Sequence, residues 1–597
     1  ATVLTTKILQ RKSAMGNCCD GNRDPLRVMD SVHPKLYPMY LVKVSDVVQM
    51  EGPPEPHDVV KQKGLLHEWQ PGMFTIFLSH QWLGLGHPDP TGLQFSVLRE
   101  LLQKIIDGRL KVEMDMVSQM QSWGKSTTST VTQNQQLADG YVFFDWFAIP
   151  QITARAKGTN EDLTRSDAAK AVQSIPFYVE VSNLFVALVP EAKHESGAYC
   201  NYTSWLSRGW CRAELWCHLL SQKPDTGVIL AHSCMEVKLM FPMDWQENSI
   251  IDGEFTVPED RDVVVQLGEK AVKSKIHHLS MVGPLWLYRF YLARQRKLLG
   301  QSTDLCWDIN SFLESFRYDS IDACVHDTSR MTAILCATLA GDPGILRVLV
   351  QHRCDINLRV KDLAQLGYFD GQTLLMVAGK TRQRVEVLET LVELRADITE
   401  FAPSGASVIH FVRTPEALRF ALQARADLNA TRPPVGLSSL AAAAAMGTAD
   451  TVRAMLVARS EVNPKLGGIG HSPLHHAVLF ARGNPSAIET VKLLIEHRAD
   501  VNAEAHPTGN VRYLTLAAQV YVGLMGHQSP LSYKAFAFMP KATPLLEVAW
   551  TGDSQLTKLL LDSKADLKAN EFGYTPEDMA RFHGHYHLLP FLSVFSV

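Results

Sequence analysis

Six times in the second half of the chain, a helix-like apolar stretch ends in nearly the same short signature. These endings are HRCDIN at 352–357, LRADIT at 394–399, ARADLN at 424–429, ARSEVN at 458–463, HRADVN at 497–502 and SKADLK at 563–568. Each follows a segment such as Ile345-Leu346-Arg347-Val348-Leu349-Val350 or Val491-Lys492-Leu493-Leu494-Ile495, with apolar residues at helical spacing. A short unit of this kind cannot bury its own apolar face. It must stack on its neighbours, which restricts this half of the chain to a solenoid of helices.

The units also share an opening. Ser472-Pro473-Leu474-His475-His476-Ala477 and Thr543-Pro544-Leu545-Leu546 are the clearest, with Thr373-Leu374-Leu375 and Ser438-Ser439-Leu440-Ala441 as worn versions. Opening and ending together resemble the ankyrin repeat, whose unit runs from TPLHxAA to GADVN. The resemblance implies an all-α ankyrin solenoid over residues 326–597 that binds protein partners through residues 329–597, on its concave side and turn tips. Ala477, Ala549 and the run Ala441–Ala445 read as the small residues at which repeats approach. The acid of each ending is expected to hold its turn through backbone N–H groups. A seventh unit opens at Tyr574-Thr575-Pro576 as a cap. The insertion 504–541, with Tyr513, Tyr521, Tyr533, Phe536 and Phe538, is either a binding element or a long packed loop. His475 and His476 fall on the motif itself and read as packed or capping imidazoles.

The first half has a different rhythm. Phe74–Leu78 is a β-rich run ending in Ser79-His80-Gln81-Trp82, and Leu93–Ile106 carries apolar residues at 95, 98, 101, 102 and 105, as a helix does. Residues 111–140 are rich in Ser, Thr and Gln and read as a loop or insertion. A second strand, Tyr141–Phe144, leads to Asp145-Trp146-Phe147-Ala148-Ile149-Pro150-Gln151. A helix near Ser166–Ser182, a third strand at Leu184–Val189 and a helix opening at Arg208-Gly209-Trp210-Cys211-Arg212-Ala213-Glu214-Leu215 follow.

The succession FLSHQW, FFDWFAIPQ, LFVALVP and RGWCRAEL over residues 70–235 resembles the Toll/interleukin-1 receptor (TIR) superfamily, especially its divergent protist and algal members. The resemblance implies a flavodoxin-like α/β domain with a parallel sheet. Members that cleave NAD place a glutamate where this chain has Glu214, which makes Glu214 the candidate catalytic residue and NAD the candidate substrate. Nicotinamide already leaves as a cationic group, so a carboxylate near the ribose that opposes oxocarbenium charge could suffice. Open α/β sheets bind ligands beyond the carboxyl ends of their strands, where Ser79, His80, Trp82, Asp145 and Trp146 fall as candidate substrate contacts. The plainer reading gives these residues packing and capping roles. Cys211, Glu214 and His218 share a helical face, but no complementary ligand pair accompanies them, so no metal site is assigned.

The remaining expectations are coarse. Residues 1–69 form an N-terminal leader and 236–325 a helical connector, whose aromatic, basic segment Pro284–Leu299 reads as a strut between the halves rather than a membrane-surface helix. Length alone, 597 residues, demands several domains. A net charge of -4 with 20% charged residues excludes a basic nucleic-acid-binding body. The ten cysteines include no CxxC pair and suggest a reducing, intracellular compartment, with the cytoplasm as the expected one. No apolar run reaches the length of a membrane span, so any membrane contact is peripheral. Met15-Gly16-Asn17-Cys18-Cys19 would be a dual-acylation start if translation began at Met15, and is otherwise an internal segment. The sequence therefore supports two readings, with no cofactor required by either. One is a scaffold or adaptor carrying a TIR-like signalling domain; the alternative is a TIR-type NAD hydrolase whose repeats recruit or sense a partner.

Overall fold

The computed structural model describes residues 33–122, 131–151, 161–223, 226–301 and 307–593. Residues 1–32 of the expected leader 1–69, with Met15–Cys19, lie outside them, while its later part supplies two strands of the sheet. The strands are β1 (Tyr40–Lys43), β2 (His67–Glu68), β3 (Thr75–His80), β4 (Tyr141–Phe143), β5 (Leu184–Leu188), β6 (Ala192–Lys193), β7 (Tyr199–Cys200), β8 (Val228–Ala231) and β9 (Val237–Leu239). Seven of them form one sheet in the order β2-β1-β4-β3-β5-β8-β9, and β6 and β7 make a small separate ribbon. β4, β3, β5 and β8 run parallel, while β1, β2 and β9 add antiparallel edges. All six residues of β3 are buried, as a central parallel strand covered on both faces requires. Phe77 stacks on Phe143 and Phe185, its register partners in β4 and β5.

The parallel strands start at β3, continue to β4 on one side, then to β5 and β8 on the other. That reversal, with right-handed crossovers, puts the helix after β3 on one face of the sheet and the helices after β4 and β5 on the other. Accordingly, Leu93–Ile106 packs with Val44–Gln49 and Val131–Ala138, whereas Glu161–Val181 and Gly209–Leu219 pack on each other and on β3. The Leu93–Ile106 helix buries Phe95, Leu98, Leu101, Leu102 and Ile105, the positions its spacing marked. Asp89 caps it by accepting from the Leu93 and Phe95 N–H groups.

The reading of 111–140 as a loop is corrected. Its described part holds the helices Met116–Ser122 and Val131–Ala138, the first started by Asp115 accepting from Ser118 N–H at 2.9 Å. Glutamine is a good helix former, so a polar composition did not preclude helix.

Helices Asp260–Val282 and Leu285–Leu298 join the halves. The second buries Tyr288, Arg289, Phe290, Tyr291, Ala293, Arg294 and Leu298 against the first and against Ala333–Ala340, so it is a strut. Arg289 lies over the Tyr318 ring and pairs with Asp327 at 3.1 Å.

The array then stacks seven units. Their first helices include Ala333–Ala340, Leu374–Lys380, Ser439–Met446, Pro473–Leu479, Pro544–Thr551 and Pro576–Phe582; in the third unit a 3-10 turn, Val408–His410, stands in this place. The Thr or Ser of the opening is the N-cap, as Thr373, Ser438, Ser472, Thr543 and Thr575 show. In the endings the acid does hold the turn: Asp355, Asp397, Asp427 and Asp500 each accept from the N–H two residues on. Neighbouring units are tied by one recurring bond. Asn357, Asn429, Asn463 and Asn502 accept from the N–H of Asp397, Glu461, Asp500 and Asp566, the acid of the next unit. Where the ankyrin ending carries glycine, this chain has Arg353, Arg395, Arg425, Arg459, Arg498 and Lys564, all at φ between 67° and 73°.

Residues 504–541 form a helical hairpin, Gly509–Met525 against Leu531–Phe538, and the latter packs on Met116–Ser122 of the first half. The two insertions thus meet. Leu531 N–H donates to Glu113 and Ser532 N–H to Gln119. The far side of the longer helix leaves Tyr513, Val520 and Leu524 exposed. No described helix is long and apolar enough to cross a membrane. All seven described cysteines are free and buried.

Candidate functional site

Four chain segments converge at the carboxyl end of β3. The strand itself supplies Ser79 and His80; the first residue after β4 but one is Asp145; the helix Gly209–Leu219 supplies Cys211 and Glu214; and Tyr202–Ser207 supplies Trp205. Gly209 lets the third of these begin where it does, because a Cβ there would lie 2.0 Å from the Phe255 ring. Ser79 Oγ donates to Glu214 Oε2 at 2.5 Å and accepts from the Trp205 indole N–H at 3.0 Å. The Cys211 thiol is buried and reaches the His80 carbonyl at 3.6 Å.

His80 is held on both ring nitrogens, Nδ1 by Gln94 Oε1 at 3.1 Å and Nε2 by Asp145 Oδ1 at 2.9 Å. The Gln94 amide nitrogen donates to the Gln81 carbonyl, so its oxygen faces the histidine. With an acceptor on each side, both ring nitrogens donate and the ring is an imidazolium. Burial opposes that charge, but the Asp145 carboxylate and the Gln94 bond outweigh it, and the His80 pKa is raised. The pair acts reciprocally on Asp145: burial would raise its carboxyl, yet His80 and the Trp82 indole, at 2.8 Å, hold it below the usual range. Glu214 behaves oppositely. Burial pushes its carboxyl up to about 8; the Ser79 bond and His80 work against that rise, and Asp145 adds to it. At neutral pH the centre is an ion pair beside a carboxyl that is mostly protonated.

The sequence-selected residues therefore lie together, but with different exposures. Glu214 and Trp82 are partly buried and the Asp145 side chain is 28% exposed, so these three border solvent. Ser79 and His80 are buried behind them. Trp146 corrects the expectation: it is 1% exposed, donates to the Pro54 carbonyl and meets Trp82 edge-on, so it offers no face to a ligand. His218, on the helix of Glu214, is occupied by Lys223 and the Gly227 carbonyl. Gln94 and Trp205, which orient His80 and Ser79, were not singled out in the sequence. The usable signal was for Gln94: a polar side chain on the otherwise apolar buried face of Leu93–Ile106. The stretch between Gln151 and the expected helix near Ser166 falls largely in 152–160, outside the described residues, and the helix begins earlier, at Glu161.

The array's own surfaces are divided. In the fifth, sixth and seventh units the turns joining the helix pairs are docked on the first half. Arg482 makes a two-point pair with Glu236 at 2.5 and 2.9 Å, and Gly483 N–H donates to Thr203. Ser554 N–H reaches Glu191, and Ser233 donates to the His583 carbonyl. The opposite edge carries the endings with their exposed Arg and Lys residues.

Residues 409–505 match the ankyrin-repeat family, as three copies. No curated protein matches the chain. The C-terminal region is therefore an ankyrin-repeat region, and such repeats bind proteins.

Proposed function

We propose that this chain is a scaffold or adaptor, with a TIR-like, flavodoxin-like domain held against an ankyrin array that binds partner proteins. One observation carries the reading: docking consumes the helix-joining turns of the last three units and leaves the array's other edge, with the six endings, in solvent. The strand order supports the domain assignment, since the four parallel strands run second-first-third-fourth in chain order, as flavodoxin-like sheets do. Cross-linking of the full chain to bound partners, read by mass spectrometry, tests this. Cross-links should concentrate in 352–372, 394–407, 424–438, 458–472, 497–508 and 563–575; cross-links confined to residues 40–239 would sink it.

A second reading, NAD cleavage, draws on the convergence of Ser79, Trp82, Asp145 and Glu214 at the point where strand order reverses. In it Glu214 acts as a carboxylate, and the cationic nicotinamide ribosyl group draws the proton off a carboxyl that the empty site keeps mostly neutral. Purified protein at high concentration should then release nicotinamide from NAD, and Glu214→Gln should lower the rate by about 10²-fold or more. No release from the wild type leaves the scaffold reading alone.

A further inference from the structure

A small, part-enclosed cleft lies where the two insertions and β9 meet the last repeat. Its walls come from four separate parts of the chain: Arg109, Lys111 and Glu113; Glu236 and Lys238; His527 and Lys534; and His583. The acids are already engaged. Glu113 accepts from Leu531 N–H at 2.6 Å and from Gln119 at 3.0 Å, and Glu236 is shared by Arg482, His585 and Lys238. Two nitrogens are not. Lys534 is 9% exposed, and its ammonium has no hydrogen-bond or ion-pair partner among the described residues, only the Phe582 ring at 5.7 Å. His583 is 3% exposed, and its Nε2 is buried without a partner while its ring stacks on Trp550.

A buried ammonium without an acceptor is costly; Glu113 and Glu236 offset only part of its burial, and a water would supply an acceptor but no further charge. Arg109 is paired with Asp107, which leaves Lys111, Lys238 and Lys534 on the walls against two carboxylates, one of which Arg482 already balances. We propose that this cleft binds a small oxyanion, a phosphate group, held by Lys534 and His583, with Lys238 and Lys111 supplying the surrounding positive field. Burial lowers the basicity of both holding groups, so an anion favours their protonated forms and binds more tightly as pH falls. Because the walls belong to both halves, the bound anion ties the array to the sheet.

The test uses the full chain at constant ionic strength, titrated calorimetrically with sulfate, inorganic phosphate and ribose 5-phosphate, with melting curves in parallel. Sulfate keeps a fixed charge near neutrality, so its pH dependence reports the protein alone. Saturable binding that raises the melting temperature is expected, and Lys534→Met should weaken it at least about tenfold, as loss of one charge-assisted hydrogen bond does. In anion-free buffer Lys534→Met should melt no lower than the wild type, because burial of that charge outweighs the pull of Glu113 and Glu236. Glu214→Gln should bind as the wild type does. Binding of phosphate and ribose 5-phosphate alike assigns the site to the free anion; binding of ribose 5-phosphate alone assigns it to a phosphorylated metabolite. The proposal is overturned by absence of saturable binding to all three probes, by undiminished binding in Lys534→Met, or by a Lys534→Met variant that is destabilised without anion.

Discussion

The two halves satisfy their polar groups by opposite strategies. The array makes the same few bonds repeatedly, a Ser or Thr cap at most openings and an Asn to the next unit's acid at four endings, always between close neighbours in the stack. The sheet half makes each bond once, between residues far apart in sequence: Ser79 and Glu214 are separated by 135 positions, His80 and Asp145 by 65. Repetition spreads the consequence of any one loss, whereas a bond made once has no substitute.

The contrast is most exposed to Trp205→Ala, which empties a fully buried indole site and strips Ser79 of a donor. We expect a loss of about 3–5 kcal/mol in urea denaturation, against about 1 kcal/mol for Asn429→Ala in the array; equal losses would break the comparison. Next in size is Arg482→Ala, which leaves Glu236 buried without its main partner and should cost about 3 kcal/mol. Calorimetry should then show the single transition separating into two, one per half. If it does not, the seam is not what holds the halves together.

Proton linkage sharpens the comparison further. Glu214 has a folded pKa near 8 against an ordinary 4.5, so the native state binds more protons between those values, and its stability contribution is lost as pH rises through about 8. His475 and His476, neutral in the array with pKa values near 4, have the reverse sign: their contribution is lost as pH falls from about 6.5 towards 4. Wild type should therefore lose about 2–3 kcal/mol relative to Glu214→Gln between about pH 6 and pH 9, most of it below pH 8, read from urea midpoints. A difference that does not change with pH would mean that Glu214 is ionised throughout. The smallest effect concerns the left-handed backbone of the endings. Arg425→Gly should stabilise by about 0.5–1 kcal/mol, because a Cβ is disfavoured at φ 67°. The same change in several units should add nearly independently.

This difference in strategy also explains what the sequence could reveal. The endings were legible because one bond pattern wrote the same letters six times, and even the substituted glycine positions kept their backbone. The third unit's first helix was not: Pro415 opens its second helix, leaving room for no more than the turn Val408–His410. In the sheet half, Ser79, His80, Trp82, Asp145 and Glu214 could be gathered because each sits where a strand ends or a helix begins. Which ring would turn inward could not be read, and Trp146 did. The docking left no trace either, since Glu236 and Arg482 are 246 positions apart and occur once. The hairpin in 504–541 looked like a loop because its packing surface is another insertion.

An isolated stack of repeats is a compliant spring: each interface yields slightly, and the yields add along its length. Here the far end is clamped. Ser233 holds the His583 carbonyl across 350 positions, a closure that would cost a flexible chain about 5 kcal/mol in entropy. With its near end continuous with the strut and its far end fastened to β8 and β9, the spring cannot lengthen or unwind unless the seam opens first. A partner that fits the array at its resting curvature binds without paying for deformation, while one that needs it straighter must first break the Glu236–Arg482 pair. Stiffness, as much as surface chemistry, then selects what this chain can hold.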